Sequence, residues 1–477
     1  MTFNELLALV SSNNPPRLCI DSRLVKAGDI FVAIEGTVLD GHDFISRAIA
    51  AGAKYIVCRQ PCACGNAEVI VVDDTAEAAG FLAQAIRGNP AAKLINLAVT
   101  GTNGKTTVAF LVRSCIQKAG FKCGIIGTVL YDTGGAVLDA PLTTPNCLIF
   151  AEMTDQMVRA GSKYMVIEAS SHALSQNRLA AINFKAAAFT NLTGDHLDYH
   201  KTQDNYLAAK ALLFEELSAD STAVLNKQSP HARQLAGKTK AKILWYAIDS
   251  PADITAHIES MDITGTVFIL EYAGRRQKMK TPLLGRYNVS NHLAAAGLCL
   301  AAGLDLEIVA AGLSELKTVP GRLEKIDWNG DFTVLVDYAH TDDALKNVLF
   351  TLKPLCKGRL TVVFGCGGDR DKTKRPRMAA VAEKLADSVI ITTDNPRTEK
   401  PEDIISQIVA GFEKPDSGNI AVEPDRKKAI ELAVKTAGKN DIVLLAGKGH
   451  ETYQIIGKQK FDFSDLVVAK EHLRKRK

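Results

Sequence analysis

A loop with the composition of a phosphate-binding turn occupies residues 99–107, where the sequence reads VTGTNGKTT. The loop follows the apolar run INLAVT and precedes TVAFLVRSCIQKAG, whose apolar residues recur at helical spacing. Backbone N–H groups of such a turn can cradle phosphate, and the N-terminus of the following helix adds positive potential. Lys105 can reach the outer phosphates and Thr106 can bind Mg²⁺. The spacing departs from GxxxxGK(S/T), because Val99 stands where that motif has its first glycine.

Two further polar residues stand at the ends of predicted strands. Glu168 ends the run KYMVIEAS, and His196 follows the run AAAFTNL. Because the carboxyl ends of parallel strands meet at one edge of a sheet, both side chains could lie beside the phosphate loop. A carboxylate and one imidazole suit Mg²⁺ that keeps several waters. An ion-paired glutamate and a hydrogen-bonded histidine explain the same two residues equally well, so both interpretations stay open.

The elements that must position these residues fall into three α/β blocks. Short apolar runs alternate with helical segments, which is typical of parallel sheets covered by helices. We expect a smaller N-terminal α/β domain over 1–92, a central P-loop-type parallel sheet over 93–320, and a C-terminal Rossmann-like doubly wound sheet over 321–477. In such sheets, ligands meet the loops at the carboxyl ends of the strands.

Composition excludes several classes of protein. The chain has 477 residues, of which 47% are hydrophobic and 23% charged, as in a globular protein rather than a disordered chain or coiled coil. No apolar stretch is long enough to span a bilayer, and MTFNELLALVSSNNPP lacks the features of a signal peptide. We therefore expect a cytoplasmic protein without membrane insertion. A net charge of +4 is too small to indicate nucleic-acid binding.

The ten cysteines show no framework spacing, which indicates thiols in a reducing compartment. Cys58, Cys62 and Cys64 form the one cluster. They lack the paired CxxC or nearby histidines of a structural zinc site, so we expect them to pack rather than to bind metal.

Short motifs spread in order over nearly the whole chain carry a family resemblance. Besides GTNGKTT at 101–107, they are DSR at 21–23, LTTPN at 142–146, EASSHAL at 168–174, FTNLTGDHLDYH at 189–200, AAK at 208–210, GRYNVSNHLAA at 285–295, PGRLE at 320–324, VDYAHTDDAL at 336–345, FGCGGDRDKTKRP at 364–376, DNPR at 394–397 and GKGHE at 447–451. Together these motifs resemble those of the Mur ligases, the ATP-dependent amide-forming enzymes of peptidoglycan precursor synthesis.

The resemblance implies ATP and Mg²⁺ as cofactors. By resemblance, Glu168 and His196 join Thr106 as metal ligands. The sequence alone predicts that Lys210 is an exposed helix lysine. It matches a lysine that is carbamylated in the family and so becomes an acid that helps hold a second metal. The residues expected to act in catalysis are Lys105, Glu168, His196 and Lys210.

The resemblance further implies that the C-terminal block closes over the nucleotide and excludes water. Asn291 would face the adenine, Asp337 the ribose, and Arg322 and His340 the phosphates. The residues expected to bind ATP are Gly101, Thr102, Asn103, Gly104, Lys105, Thr106, Thr107, Asn291, Arg322, Asp337 and His340.

A second implied site binds a nucleotide-linked muramoyl dipeptide. Ser22 of the DSR motif would lie at the uracil and ribose end. Hydroxyl, amide and guanidinium groups suit a sugar, peptide carbonyls and a carboxylate. The residues expected in this site are Ser22, Thr143, Thr144, Ser170, Gln176 and Arg178.

The DNPR motif resembles the form found in family members that add meso-2,6-diaminopimelate. That amino acid differs from L-lysine by one extra distal carboxylate, which Arg397 can pair with bidentately. Glu451 suits the distal ammonium. The residues expected to bind diaminopimelate are Arg370, Asp394, Asn395, Pro396, Arg397, Gly447 and Glu451.

The implied reaction adds meso-2,6-diaminopimelate to UDP-N-acetylmuramoyl-L-alanyl-D-glutamate through an acyl phosphate, and yields ADP and phosphate. We expect a monomer. The same reaction with L-lysine is a close alternative. A folylpolyglutamate ligase is disfavoured by the DSR, TTP and SSH segments. A non-catalytic, Mur-ligase-like scaffold is a further alternative, although Lys105, Glu168, His196 and Lys210 are all present.

Overall fold

The computed structural model describes residues 1–36, 39–62 and 65–476. The N-terminal unit is a four-stranded, all-parallel sheet in the order β1-β2-β3-β4. Its strands are β1 (Leu18–Cys19), β2 (Ile30–Val32), β3 (Tyr55–Cys58) and β4 (Glu68–Val71), and its helices are α1 (Phe3–Val10), α2 (Ile45–Ala50) and α3 (Thr75–Ile86).

The central unit is an eleven-stranded sheet in the order β15-β14-β13-β12-β11-β10-β5-β9-β6-β7-β8. Its strands are β5 (Ile95–Thr100), β6 (Cys123–Ile126), β7 (Leu130–Asp132), β8 (Val137–Asp139), β9 (Tyr164–Glu168), β10 (Phe184–Phe189), β11 (Thr222–Asn226), β12 (Lys242–Ile248), β13 (Ile254–Asp262), β14 (Gly265–Tyr272) and β15 (Arg275–Thr281). Its helices are α4 (Lys105–Lys118), α5 (Cys147–Arg159), α6 (Ser171–Ser175), α7 (Leu197–His200), α8 (Gln203–Glu215), α9 (Ala232–Ala236), α10 (Arg286–Ala301) and α11 (Leu306–Glu315).

The middle of this sheet is parallel and is buried on both faces. Along β5, Leu97 and Val99 pack into one apolar core and Ala98 packs into another, which explains why the strand is a nearly continuous apolar run. Both edges are antiparallel, at β13 to β15 and at β6 to β8. The apolar runs do not predict these edge strands, because much of their surface is exposed and polar.

The C-terminal unit is a six-stranded sheet in the order β16-β17-β21-β18-β19-β20, parallel apart from β16. Its strands are β16 (Glu324–Lys325), β17 (Thr333–Asp337), β18 (Leu360–Phe364), β19 (Ser388–Ile391), β20 (Ile420–Val422) and β21 (Ile442–Ala446), and a hairpin, β22 (Tyr453–Ile456) and β23 (Gln459–Asp462), follows. Its helices are α12 (Asp342–Leu352), α13 (Lys374–Leu385), α14 (Pro401–Val409), α15 (Arg426–Thr436) and α16 (Asp465–Arg474).

The predicted α/β class with parallel-dominated sheets is confirmed. Apolar clusters cover both faces of the C-terminal sheet, as they do in the central sheet. None of the helices that the structure describes is long and apolar enough to cross a membrane. In the cysteine cluster, the Cys58 and Cys62 sulfurs are 4.0 Å apart, and Cys64 lies outside the described residues.

Candidate active site

Three neighbouring parallel strands of the central sheet, β10, β5 and β9, present their carboxyl ends side by side. The phosphate loop follows β5, Glu168 ends β9, and the loop that carries His196 follows β10. The topology therefore brings together the residues that the sequence places after different strands. Thr102, Thr106 and Thr107 have buried side chains in this region.

The phosphate loop is held in shape by its neighbours. Gly104 has φ +92°, in the left-handed region that favours glycine, and a Cβ there would lie 2.4 Å from Asn291 Oδ1 on α10. The Asn103 carbonyl oxygen accepts hydrogen bonds from Thr190 Oγ1 (2.6 Å) and Asn191 Nδ2 (3.2 Å). The close approach to Gly104 shows that the Asn291 side chain contacts the phosphate loop.

Two lysines converge on the loop. Lys105 Nζ donates to the carbonyl oxygens of Gly101 and Thr102, each at 2.9 Å, and Lys210 Nζ donates to the same Gly101 oxygen at 3.0 Å. The prediction that Lys210 is exposed is wrong, because its side chain is buried between the loop and the Tyr206 ring, 4.3 Å from Nζ. Desolvation, reinforced by the charge of Lys105, lowers the pKa of Lys210 well below its usual value.

Lys105 also lies among opposite charges. Desolvation lowers its pKa, and the carboxylates of Glu168 and Asp195 partly counteract that shift. Asp195 is not among the residues predicted from the sequence, although it directly precedes His196.

Glu168 is buried and tightly oriented. Its carboxylate accepts hydrogen bonds from Thr106 Oγ1 (3.0 Å), from the Thr128 backbone N–H (2.9 Å) and from Thr128 Oγ1 (3.0 Å). A Cβ at Gly127 would lie 2.2 Å from Oε1, so the carboxylate needs the space that this glycine leaves. Sequence analysis missed Thr128. The feature that could have identified Thr128 is its position just after β6, the strand that pairs with β9.

His196 lies in the loop before α7 with φ 55°. Its ring meets His172 edge-on at 4.8 Å between centroids, and its Nε2 is 3.6 Å from Asp195 Oδ2. Desolvation, partly offset by Asp195, lowers the pKa of His196 to about 4, so the imidazole is neutral at neutral pH and can act as a ligand. Among the described residues no group of three His, Cys, Asp or Glu side chains is arranged as a metal cage.

The C-terminal unit reaches the same loop. The Arg322 guanidinium donates to Thr106 Oγ1 at 3.2 Å and lies 4.6 Å from the Tyr338 ring centroid. Asn103 Nδ2 donates to Asp343 Oδ2 at 3.1 Å. The candidate site is therefore shared by two sheets.

Asp337 ends β17 and is buried, and burial raises the pKa of its carboxyl. Its two oxygens accept the backbone N–H groups of Leu323 (2.6 Å) and Ala339 (2.8 Å), so a ribose would have to use the remaining lone pairs. His340 Nδ1 lies 2.9 Å from the Tyr338 carbonyl oxygen, and burial lowers the pKa of His340.

Five of the six residues expected around the muramoyl dipeptide lie in one hydrogen-bonded group. Thr144 Oγ1 donates to the Glu168 carbonyl oxygen (2.6 Å) and lies 3.1 Å from Ser170 Oγ, and the Arg178 guanidinium donates to the Thr144 carbonyl oxygen (2.8 Å) and to Gln176 Oε1 (2.6 Å). Thr143 Oγ1 lies 3.0 Å from Thr128 Oγ1.

Ser22 stands apart from this group, in the short 3₁₀ turn Ser22–Leu24 of the N-terminal unit. Its side chain is buried, and Asp21 caps the turn by accepting the Arg23 backbone N–H.

The residues expected around diaminopimelate follow three neighbouring strands of the C-terminal sheet, β21, β18 and β19. Asn395 Nδ2 donates to Glu451 Oε2 at 2.9 Å, and a guanidinium nitrogen of Arg397 donates to the Gly368 carbonyl oxygen at 2.9 Å. Asp394 lies in the same cluster, and Gly447 donates its backbone N–H to the Asp337 carbonyl oxygen at 3.0 Å.

The turn itself is closely packed. A Cβ on Gly368 would lie 1.9 Å from the Pro396 carbonyl oxygen. Arg397 has φ 51° and pairs its backbone with the β22 hairpin. Arg370 is the exposed member of the set, and its guanidinium donates to the Asp369 carbonyl oxygen at 2.9 Å.

Two buried cations were missed at the sequence level. Lys448 is 0% exposed and contacts Asp394, Asn395 and Glu451. Arg375, also buried, pairs with Glu399 and lowers the pKa of that carboxyl to about 2. The sequence feature that could have identified Lys448 is the motif GKG, a lysine between two glycines that follows a buried strand.

Family models match most of the chain. The Mur ligase family catalytic-domain model matches residues 17–93, the Mur ligase middle-domain model matches 99–299, and the Mur ligase glutamate ligase domain model matches 321–449.

Curated relatives cover almost the full length. The UDP-N-acetylmuramoyl-L-alanyl-D-glutamate–2,6-diaminopimelate ligase of Geobacillus kaustophilus is 42% identical over 463 residues, which are 96% of this chain and 94% of that protein. The protein of the same name from Fusobacterium nucleatum subsp. nucleatum is 40% identical over 464 residues, 96% of this chain and 93% of its own.

Solved structures that resemble this chain include one of a protein with the same name as these relatives. A structure of a UDP-N-acetylmuramoyl-L-alanyl-D-glutamate–2,6-diaminopimelate ligase superposes with a TM-score of 0.69 at 34% identity, covering 97% of this chain and 96% of its own. A folylpolyglutamate synthase from Mycobacterium tuberculosis, at 21% identity and a TM-score of 0.63 over 76% of this chain and 91% of its own, shares the fold. With relatives above 40% identity along almost its whole length, the chain belongs to the Mur ligase family.

Proposed function

We propose that the protein is an ATP-dependent ligase that adds meso-2,6-diaminopimelate to the D-glutamyl carboxyl of UDP-N-acetylmuramoyl-L-alanyl-D-glutamate in peptidoglycan precursor synthesis. The observation that carries it is the continuity of two sites. Tyr338 links the phosphate loop to the DNPR pocket, which we define as the group of Asp394, Asn395, Arg397 and Glu451. Its ring centroid lies 4.6 Å from the Arg322 guanidinium and 5.3 Å from the ring centroid of His450, the residue before Glu451. An activated carboxyl at the loop would therefore lie beside a pocket for an amino acid.

The reaction has two steps. A carboxylate oxygen first bonds to the γ-phosphorus of ATP while the bond to the β-phosphate oxygen breaks, and ADP leaves. The amine nitrogen then attacks the acyl carbon, the C–N bond forms, phosphate leaves and the amine gives up a proton. Positive groups are needed because the carboxylate and the triphosphate repel each other. Lys105 and Arg322 supply that charge from the two sides of the loop.

The donor groups of the site suit Mg²⁺. Thr106 Oγ1 and Glu168 Oε2 are 3.0 Å apart at the loop, and His196 offers a neutral imidazole. We propose that these residues hold the ion, together with Lys210 if it is carbamylated. When bound, Mg²⁺ would neutralise charge on the phosphates.

Burial favours modification of Lys210. Desolvation lowers the pKa of Lys210 and so favours the neutral amine, the form that can add CO₂. A carbamate would place an anion beside the Lys105 ammonium, where a second ammonium is disfavoured.

Arg397 supports diaminopimelate as the amino acid. Its guanidinium lies beside the loop 367–370 and can pair with a distal carboxylate, while Asn395 and Glu451 can receive the distal ammonium. L-Lysine lacks that carboxylate and would leave the guanidinium without its partner.

The proposed work is divided among three domains. Residues 1–92 would bind the uridine end, 93–320 would bind ATP and the muramoyl dipeptide, and 321–477 would bind the amino acid. We place the protein in the cytoplasm, because ATP and the nucleotide-linked precursor are cytoplasmic substrates. We expect it to act as a monomer.

Phosphate release from ATP tests this function directly. The assay combines ATP, Mg²⁺ and the nucleotide-linked dipeptide with meso-diaminopimelate, with L-lysine or with no amino acid. We expect release and a tripeptide product by mass spectrometry with diaminopimelate, and a preference over L-lysine of at least about 100-fold in kcat/KM. Equal use of L-lysine would identify a lysine-adding enzyme. No release in any mixture would indicate a non-catalytic member of the family.

A further inference from the structure

We propose that Lys448 is a positioning residue that orients the acidic and amide groups of the amino-acid pocket and sets the charge balance that favours a zwitterionic distal end. This inference rests on the proposed function. It concerns a residue outside the expected set, which lies between Gly447 and Gly449 at the end of β21.

The Lys448 ammonium is buried inside the DNPR pocket. Its Nζ lies 3.0 Å from Glu451 Oε2, 3.3 Å from Asn395 Oδ1 and 3.4 Å from Asp394 Oδ1, and the Tyr453 ring centroid is 5.7 Å away. A buried cation is costly unless it is paired and hydrogen-bonded, and these three oxygens provide that pairing.

The contacts fix the groups that would face the amino acid. Lys448 and Asn395 Nδ2 both donate to Glu451 Oε2, and Asn395 Oδ1 also accepts the Ile455 backbone N–H at 3.0 Å. Glu451 is thereby held in one orientation, with its other oxygen left for a substrate ammonium. Without Lys448, the carboxylates of buried Asp394 and half-buried Glu451 would repel each other, and Glu451 would lose one of its two donors.

The charges of the pocket match the distal end of diaminopimelate. Asp394 and Glu451 carry two negative charges, and Lys448 and Arg397 carry two positive charges, so these four groups sum to zero. The distal end of diaminopimelate has one ammonium and one carboxylate and is also neutral overall. The distal end of L-lysine is a cation, and a pocket without the Lys448 charge would suit it better.

The neighbouring buried ion pair adds no net charge to these four groups. Arg426 and Asp465 are both 0% exposed and form their own bidentate pair, at 2.7 and 2.6 Å. Arg370 and Lys460 are exposed, where water and salt screen their charge.

Steady-state kinetics of Lys448→Met test the inference. We expect the KM for meso-diaminopimelate to rise by about tenfold or more, and the preference for diaminopimelate over L-lysine in kcat/KM to fall by about tenfold or more. The KM values for ATP and the nucleotide-linked dipeptide should stay within about twofold, and Lys448→Arg should recover part of the loss. Lys435→Met, which removes an exposed lysine of α15, is the matched control.

A double-mutant cycle shows whether Lys448 acts through Glu451. If it does, Lys448→Met in a Glu451→Gln background should raise the KM much less than it does in the wild type. If Lys448→Met alone does not fold, Lys448→Arg takes its place in both backgrounds of the cycle.

Unchanged KM and selectivity in Lys448→Met, or equal fold-changes in both backgrounds, would overturn the inference. An inactive wild-type protein would instead overturn the proposed function, so the two failures are distinguishable.

Discussion

At the scale of single residues, the shared carbonyl oxygen of Gly101 is the most unusual feature of the site. Lys105 and Lys210 both donate to it, in surroundings that desolvate both amines. Two neighbouring ammonium groups in such surroundings disfavour each other's charge. The site therefore lowers the pKa of Lys210 and disfavours its charged form.

Lys210→Ala tests the role of that amine. We expect kcat to fall by about 10³-fold or more, because the variant cannot form the proposed carbamate that would help bind the metal, and small carboxylic acids such as acetate should partly restore it. Phosphate release measures both effects. Lys240→Ala, at an exposed position of the same unit, is the control. Full activity of Lys210→Ala would reject the role.

Arg397→Ala tests the choice of amino acid. We expect kcat/KM for meso-diaminopimelate to fall by about 100-fold or more, whereas kcat/KM for L-lysine should change little, because only the first substrate has a distal carboxylate. Tripeptide formation with each amino acid gives the ratio. Arg233→Ala, at an exposed arginine of α9, serves as the control. Equal losses with both amino acids would speak against a contact between Arg397 and the carboxylate.

At the scale of elements, the strand–turn–helix unit of β5 and α4 is shaped by its contact with α10. Gly104 sits at this contact, with a left-handed backbone and the Asn291 side chain directly against it. Helix α10 therefore supports the loop as well as the apolar core beneath it.

Gly104→Ala should disturb nucleotide binding beyond the cost of its backbone strain. Gly28 has a similar φ, +88°, and a Cβ at that position would meet no atom within 4 Å, so Gly28→Ala isolates that strain. We expect both variants to lose about 1 kcal/mol of stability, and only Gly104→Ala to weaken ADP binding by about tenfold or more. Thermal unfolding and calorimetric titration measure the two quantities. Unchanged ADP affinity in Gly104→Ala would contradict the packing argument.

Helix α10 also carries a buried histidine that makes stability depend on pH. Burial lowers the pKa of His292 to about 4, and its Nδ1 donates to the Asn288 carbonyl oxygen at 2.7 Å. The unfolded chain takes up a proton near pH 6.5 and the folded chain only near pH 4, so this contribution to stability is complete above about pH 6.5 and is lost as the pH falls.

Between about pH 7 and pH 5, the free energy of unfolding should fall by about 2 kcal/mol through His292 alone. His292→Gln keeps a donor for the Asn288 carbonyl and should remove that part of the pH dependence. Urea unfolding of both proteins at the two pH values measures the difference. The same pH dependence in the variant would show that His292 does not titrate in this way.

The sequence predicts elements better than it predicts contacts between them. The run INLAVT and its glycine turn predict β5 and the phosphate loop, and the strand ends predict where Glu168 and the DNPR turn lie. The burial of Lys210 depends on a loop that is 109 positions earlier in the chain, and the burial of Lys448 depends on the DNPR turn. Thr128 becomes relevant only when β6 pairs with β9. These contacts are tertiary, so periodicity and residue type alone do not predict them.

At the scale of the whole molecule, the candidate site lies between two sheets. Arg322 and Asp343, from the C-terminal unit, contact Thr106 and Asn103 of the phosphate loop. The closed site would exclude water from an acyl phosphate, which water would otherwise hydrolyse. The same arrangement would bring the proposed amino-acid pocket close to the point where that intermediate would form.

Transfer of an oxygen isotope is the measurement that follows this chemistry most closely. The D-glutamyl carboxylate of the nucleotide-linked dipeptide is labelled with ¹⁸O, and the phosphate released with meso-diaminopimelate is analysed by mass spectrometry. Phosphorylation of the carboxylate transfers one of its oxygens to phosphate, so we predict one ¹⁸O atom in each phosphate released. Phosphate without the label, alongside normal tripeptide formation, would contradict an acyl phosphate formed at the phosphate loop, beside Lys105, Glu168 and Lys210.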